Sequence, residues 1–108
     1  MAVKRGRWVI VFVDLPSRTK AQRASARRFA NWLRDTGYVP SSAHCWKWYV
    51  VSRSVAATEV ARITRRAPEK GAVHILDVGA EAQRKMRSIV DGSPTTRPAA
   101  AELLTVYY

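Results

Sequence analysis

One cysteine, Cys45, stands in the whole sequence, so no intrachain disulfide can form. A lone thiol fits a reducing, cytoplasmic setting. No apolar run approaches the roughly 18 residues of a membrane-spanning helix. The basic start Lys4-Arg5-Gly6-Arg7 precedes an apolar run too short for a secretory signal, and that run ends in Asp14-Leu15-Pro16. Acidic residues are scarce, 8 against 19 Lys and Arg, which leaves a net charge of +11. The five glycines are scattered and make no phosphate-cradling loop. The two histidines, His44 and His74, have no acids or further cysteines nearby in the sequence to complete a zinc site.

What is present is one domain's worth of chain, 108 residues with 47% hydrophobic content. A chain of this size buries roughly two-thirds of its unfolded surface, so it folds alone with little margin and gains from a partner subunit. The positive excess points to a polyanion, nucleic acid first. A membrane surface fits less well, because no segment joins a wide apolar face to a lysine-rich one. Arginine outnumbers lysine, and its planar fork binds phosphate bidentately. The bland alternative is arginine on a solvated surface.

Six consecutive apolar residues, Trp8 to Val13, run into one carboxylate. The run is too β-branched for a helix and reads as a strand over 8–14, buried on both faces. Pro16 stops it. Asp14 is thereby held where a central strand leaves the core, a usual position for a metal ligand or general base. A cap for the following turn or helix is the structural alternative.

A helix begins at Ser17 or Thr19. Thr19 and Gln22 match a capping box, and Gly37 ends the helix. Ala26, Phe29, Ala30 and Leu33 make its buried face, and Lys20, Arg23, Arg27 and Arg34 recur on another. Such like charges repel, a cost that an anion covering them would relieve. Tyr38 to Val51 reads as an antiparallel strand pair or one long bent strand, with any turn near Trp46-Lys47 and Pro40 kept off a central ladder. Ser52 to Pro68 is a second helix with a stripe of Ala56, Val60, Ile63 and Ala67, and Arg62, Arg65 and Arg66 outside. Ala72 to Val78 is a strand, Glu81 to Val90 a short helix, Asp91 to Pro98 a turn-rich connector and Leu103 to Tyr108 a final strand.

The order β-α-β-β-α-β gives an α+β, ferredoxin-like fold: an antiparallel sheet with two helices on one face. Residues 1–92 form that domain, and 93–108 supply a linker and a C-terminal strand. The last strand closes its own sheet or adds to the edge of a twin subunit in a strand-exchanged homodimer.

Trp8 and Trp32 read as core or interface. Trp46 and Trp48 share a strand face, which suits a protein–protein surface or dimer core better than a base-stacking platform. His44 and His74, in strands among apolar neighbours, read as packed or surface residues rather than catalysts. Asp77 lies at the sheet surface, and Cys45 is core. Basic residues are the stronger candidates for phosphate contact: Lys4, Arg5 and Arg7; Arg18, Lys20, Arg23, Arg27 and Arg28; and Arg62, Arg65 and Arg66.

The string Val9-Ile10-Val11-Phe12-Val13-Asp14-Leu15-Pro16 resembles the first-strand signature of the small CRISPR-associated adaptation endoribonucleases, the smaller of the two universal spacer-acquisition proteins. The resemblance continues through Arg27-Arg28-Phe29, Leu33, Thr36-Gly37-Tyr38-Val39, Lys70 to Leu76 and Glu102-Leu103-Leu104, and is strongest to the type II variants. The chain departs from the family at Val13, where many members carry Tyr or Phe, and at Ser42 to Trp46, which replaces a Gln-x-Ser-Val-aromatic pattern. The resemblance implies that Asp14 is the catalytic, Mg²⁺-binding residue of a metal-dependent endonuclease. It also implies a homodimer with integrase subunits, spacer-duplex DNA and single-stranded RNA as partners. Two other functions suit the same residues: a non-catalytic dimeric scaffold that bridges integrase dimers on spacer DNA, and a toxin-type ribonuclease of the same fold.

Overall fold

The computed structural model describes residues 6–87 and 89–94. Its elements are β1 (Arg7–Asp14), α1 (Lys20–Thr36), β2 (Val39–Ser42), β3 (Cys45–Val50), α2 (Arg53–Arg66), β4 (Ala72–Gly79), α3 (Ala80–Arg84), β5 (Ile89–Val90) and β6 (Ser93–Pro94). The first four strands in space run β2-β3-β1-β4, all antiparallel. This is the ferredoxin-like arrangement expected, with the most apolar strand at a central position. Pro40 sits on the edge strand β2, where a missing N–H costs no central ladder bond, and a bulge follows between Pro40 and Ser42.

Alternation along β1 divides the core in two. Val9 and Val11 face α1 and α2, and pack with Phe29, Leu33, Tyr38, Trp46, Val50, Ala56 and Ile63. Each fully buried Leu or Ile there contributes about 1.5–3 kcal/mol. Trp8 and Ile10 face the other way, against Tyr49 and Ala80. The strand is therefore buried on both faces only from Trp8 to Val11. Beyond the reach of α3 this second face opens, and Phe12 is 42% and Leu76 47% exposed.

Both long helices start as their sequences dictate. The Thr19 hydroxyl accepts the Gln22 N–H, and the Gln22 side chain returns to the Thr19 N–H. Gly37, at φ 128°, closes α1 through its N–H to the carbonyls of Leu33 and Arg34. Ser52 caps α2, which ends at Arg66 because Ala67 turns extended (ψ 139°) before Pro68.

Four local expectations are corrected. The β2–β3 turn lies at Ala43-His44, not at Trp46-Lys47, because β3 runs unbroken from Cys45 in register with β1. Trp46 and Trp48 lie under the helices, so neither makes a docking surface. Glu81 to Val90 is not one helix: α3 stops at Arg84, and Ile89–Val90 pairs with Ser93–Pro94 instead. Asp91 (φ 53°) and Gly92 (φ 81°) give that hairpin the two positive-φ residues of a type I′ turn, so the connector starts with regular structure. The expected strand over 103–108 lies outside the described residues.

Candidate functional site around Asp14

Asp14 is the last residue of β1, opposite Ala72 of β4, and is exposed. Its position is set from both sides. The Val13 N–H donates to the His44 carbonyl at 2.8 Å, tying the strand end to the β2–β3 turn. On the other side Gly71, at φ 90°, lets the loop before β4 pass close by: a Cβ there would lie 2.7 Å from the Asp14 carbonyl oxygen and 2.9 Å from Pro16 Cδ.

The Asp14 carboxylate makes no hydrogen bond or ion pair with the described residues, and the cap of α1 is Thr19. The capping role considered for Asp14 is thus filled by another residue. The carboxylate borders two recesses. One, of about 280 Å³, is lined by Phe12, Val13, Asp14, His44 and His74 on the open sheet face. The other is lined by Asp14, Leu15, Pro16, Gln22, Lys70, Gly71 and Ala72.

His44 lies in a turn and His74 in β4, and both are exposed, the surface alternative that the sequence left open. They flank β1 from opposite sides, although nothing in their sequence spacing shows it. Among the described residues no three His, Cys, Asp or Glu side chains gather closely enough to hold one metal ion.

The basic residues distribute unevenly. Lys20, Arg23, Arg27 and Arg34 line an exposed face of α1, with Arg28 exposed beside them and Arg18 just before the helix. Arg23 reaches back to the carbonyls of Ser17 and Arg18, each at 3.1 Å. Arg7 is taken up by Asp77 in a partly buried ion pair. Arg62 pairs with Glu59 at 2.9 Å, and Arg62 and Arg66 both lie over the Trp32 ring, whereas Arg65 is exposed. Arg5 and Lys4 lie outside the described residues.

Two further groups went unforeseen. Glu59 is buried in α2, where it accepts from the Tyr38 hydroxyl at 3.1 Å, and burial together with Glu59 pushes the Tyr38 phenol up. Lys47 is 1% exposed at the middle of β3, donates to Met86 Sδ at 3.6 Å, and has its ammonium pushed down by burial. Burial also raises the Cys45 thiol, which argues against a ready nucleophile.

No family model matches the chain. It is 30% identical over 74 residues to the CRISPR-associated endoribonuclease Cas2 of Flavobacterium psychrophilum, an overlap of 68% of this chain and 64% of that protein. To the CRISPR-associated endoribonuclease Cas2 of Paracidovorax avenae it is 34% identical over 68 residues, 63% of each chain. Over that stretch the chain is similar to these two Cas2 proteins. The matched stretch spans just under two-thirds of either relative's own length. The resemblance read from β1 and its neighbours is thereby supported by similarity over 68% and 63% of this chain, and the sheet order agrees with it. Among the described residues no helix is long and apolar enough to cross a membrane.

Proposed function

We propose that this chain is a CRISPR-associated nuclease that acts as a homodimer in spacer acquisition, with Asp14 as its metal-holding carboxylate. The observation that carries this reading is the Asp14 side chain itself: exposed, without a partner among the described residues, and fixed at a strand end beside open space. The names of its relatives support cleavage of RNA as the reaction.

The donor set suits a hard cation. Mg²⁺ prefers oxygen, keeps several waters and is often held by only one or two carboxylates and substrate phosphate. Asp14 would supply that carboxylate, and a second chain would bring a second copy. When bound, such an ion supplies charge neutralisation at the phosphodiester and a more acidic water. The chain's own part is to hold the backbone. Arg18, Lys20, Arg23, Arg27 and Arg28 do so from α1 and its approach, and Arg65 and Arg66 from α2, without reading sequence.

A non-catalytic scaffold on spacer DNA that bridges integrase subunits is the second reading. The length of the α1 basic stripe favours it. Lys20 to Arg34 spans about 21 Å at about 1.5 Å per residue, more than one scissile phosphate needs.

The test is cleavage of end-labelled single-stranded RNA and duplex DNA by EDTA-treated protein, before and after adding Mg²⁺. Wild type is expected to gain cleavage on adding Mg²⁺, and folded Asp14→Ala to gain none. Equal gains, or none for either protein, would leave the scaffold as the function.

A further inference from the structure

A recess of about 320 Å³ lies on the helix side of Asp14, between the first turns of α1 and the loop from α2 to β4. Its apolar walls include Leu15, Pro16, Ala26 and Pro68. The proline rings have fixed φ, so these walls are stiff. Gln22, Ser25, Glu69 and Lys70 supply the polar part of the lining. The Gln22 amide oxygen accepts from the N–H groups of Arg18 and Thr19 at 2.9 and 3.1 Å. That fixes the side chain and leaves its NH₂ group without a partner among the described residues. Ser25, Glu69 and Lys70 likewise make no side-chain hydrogen bond or ion pair with the described residues. Leu15, Pro16, Gln22 and Lys70 also line the second recess that Asp14 borders, so one trough runs from the carboxylate past Pro16 to α1.

The lining selects among occupants. Glu69 repels a phosphate, which keeps bare backbone out of the recess. Stiff apolar walls with donors and an acceptor suit a flat ring with a polar edge, which is what a nucleobase presents. The volume is at the low end of the roughly 300–1,000 Å³ of small-ligand sites, which suits one base, drawn out of its stack to enter. Lys70 lines both recesses and so stands where a phosphate between that base and Asp14 would pass. Arg28 and Trp32 follow Ser25 at three- and four-residue spacing on α1, and Arg62 and Arg66 lie over the Trp32 ring, so cations continue beyond the recess. Water in a surface groove would account for the volume. It does not account for an amide pinned at one end and unpaired at the other, beside an acid and a lysine that do not pair with each other.

We propose that this recess holds one unpaired base of a single-stranded RNA, next to the phosphate that Asp14 faces. The base packs against the proline rings. Gln22 donates to its acceptors, Glu69 accepts from its N–H groups, and Lys70 holds the neighbouring phosphate. The arginines of α1 grip backbone of any sequence, whereas the recess requires a base, and one free of a duplex. Single strands are thereby selected over duplexes at this end of the trough. That the bound strand is one to be cut rests on the nuclease reading of Asp14; that a base binds here does not.

Fluorescence anisotropy in EDTA, where metal-dependent cutting is blocked, compares a labelled single-stranded RNA hexamer with a hexamer of the same backbone that lacks its bases. Wild type is expected to bind the natural hexamer at least about 10-fold more tightly, within the range for one stacked base. Ala21→Trp and Ser25→Leu, one at an exposed and one at a half-buried position, fill the recess. Each should lose about 10-fold on the natural hexamer, and nothing on the abasic hexamer or on duplex DNA held by the α1 stripe. Circular dichroism and thermal melting check that both variants fold. Asp14→Ala should bind both hexamers as wild type does. Equal affinity of wild type for the two hexamers, or a difference that survives in the folded variants, would overturn the proposal and leave the Mg²⁺ reading of Asp14 standing. Cleavage by Asp14→Ala equal to that of wild type would instead overturn the nuclease reading and leave the base recess standing.

Discussion

Lys47 shows how one residue can mislead a reading and still be informative. A charge in the middle of an aromatic run looks like a turn, and its pattern alone places the β2–β3 turn there. In the structure it lies buried in the middle of β3, and the turn falls at Ala43-His44. Asp14 was legible because an uninterrupted apolar run and a proline bracket it. The recess that His44 and His74 line with Phe12 was not, because only sheet register brings residues so distant in sequence together. Lys47 also yields a stability prediction. Its folded pKa lies below the usual 10.5, so between the two values the unfolded chain binds more protons and stability rises with pH. Tyr38 has the opposite sense: its folded pKa lies above 10.0, so stability falls once the unfolded phenol ionises. Chemical unfolding at a series of alkaline pH values is therefore expected to show stability climbing toward pH 10 and turning over near there. Lys47→Met, similar in volume, should gain about 1 kcal/mol at pH 7 and lose the climb. An unchanged climb in the variant would place its origin elsewhere.

At the scale of elements, α1 was the most legible. Its capping box, its glycine end and its Phe29–Leu33 face all follow from local chemistry. α2 was half legible, because Glu59 interrupts its apolar stripe and is buried against Tyr38, a partner outside the helix, while also pairing with Arg62. The α3 region failed because a five-residue helix and a two-residue hairpin carry too little periodicity to tell apart. The stripe Lys20, Arg23, Arg27 and Arg34 is the element's testable feature. Four cations on one helix face repel at three- and four-residue spacing, and phosphates relieve that repulsion. Fluorescence anisotropy of a labelled duplex, titrated from about 50 to 200 mM salt, should show affinity falling steeply, by about 10³-fold if six phosphates are neutralised. Single Ala substitutions at Lys20 or Arg27 should each flatten the log–log slope by about 0.9. A salt-insensitive affinity, or variants with the wild-type slope, would remove the stripe from the binding face.

At the scale of the molecule, the two sheet faces are covered unequally. Two helices seal one face, and α3 covers part of the other, leaving Phe12 open beside Asp14, His44 and His74, and Leu76 open further along β4 opposite Ile10. The whole chain is strongly basic, yet this open patch is apolar. A second copy of the chain therefore suits it better than a polyanion, and the partner a small domain gains from would meet it here. Two-fold symmetry would put the same patch on both partners and bring the two Asp14 copies toward one cleft, where among the described residues of one chain no three ligating side chains gather. Sedimentation at micromolar concentration is expected to give a dimer for wild type. Phe12→Asp and Leu76→Asp, each adding a charge to an exposed position, should shift the chain to monomer without lowering its melting temperature by more than the loss of the partner explains. If both variants remain dimeric, the chains associate elsewhere, and the Asp14 cleft must work within one chain. If they turn monomeric and the gain in cleavage on adding Mg²⁺ disappears with them, the carboxylates act as a pair.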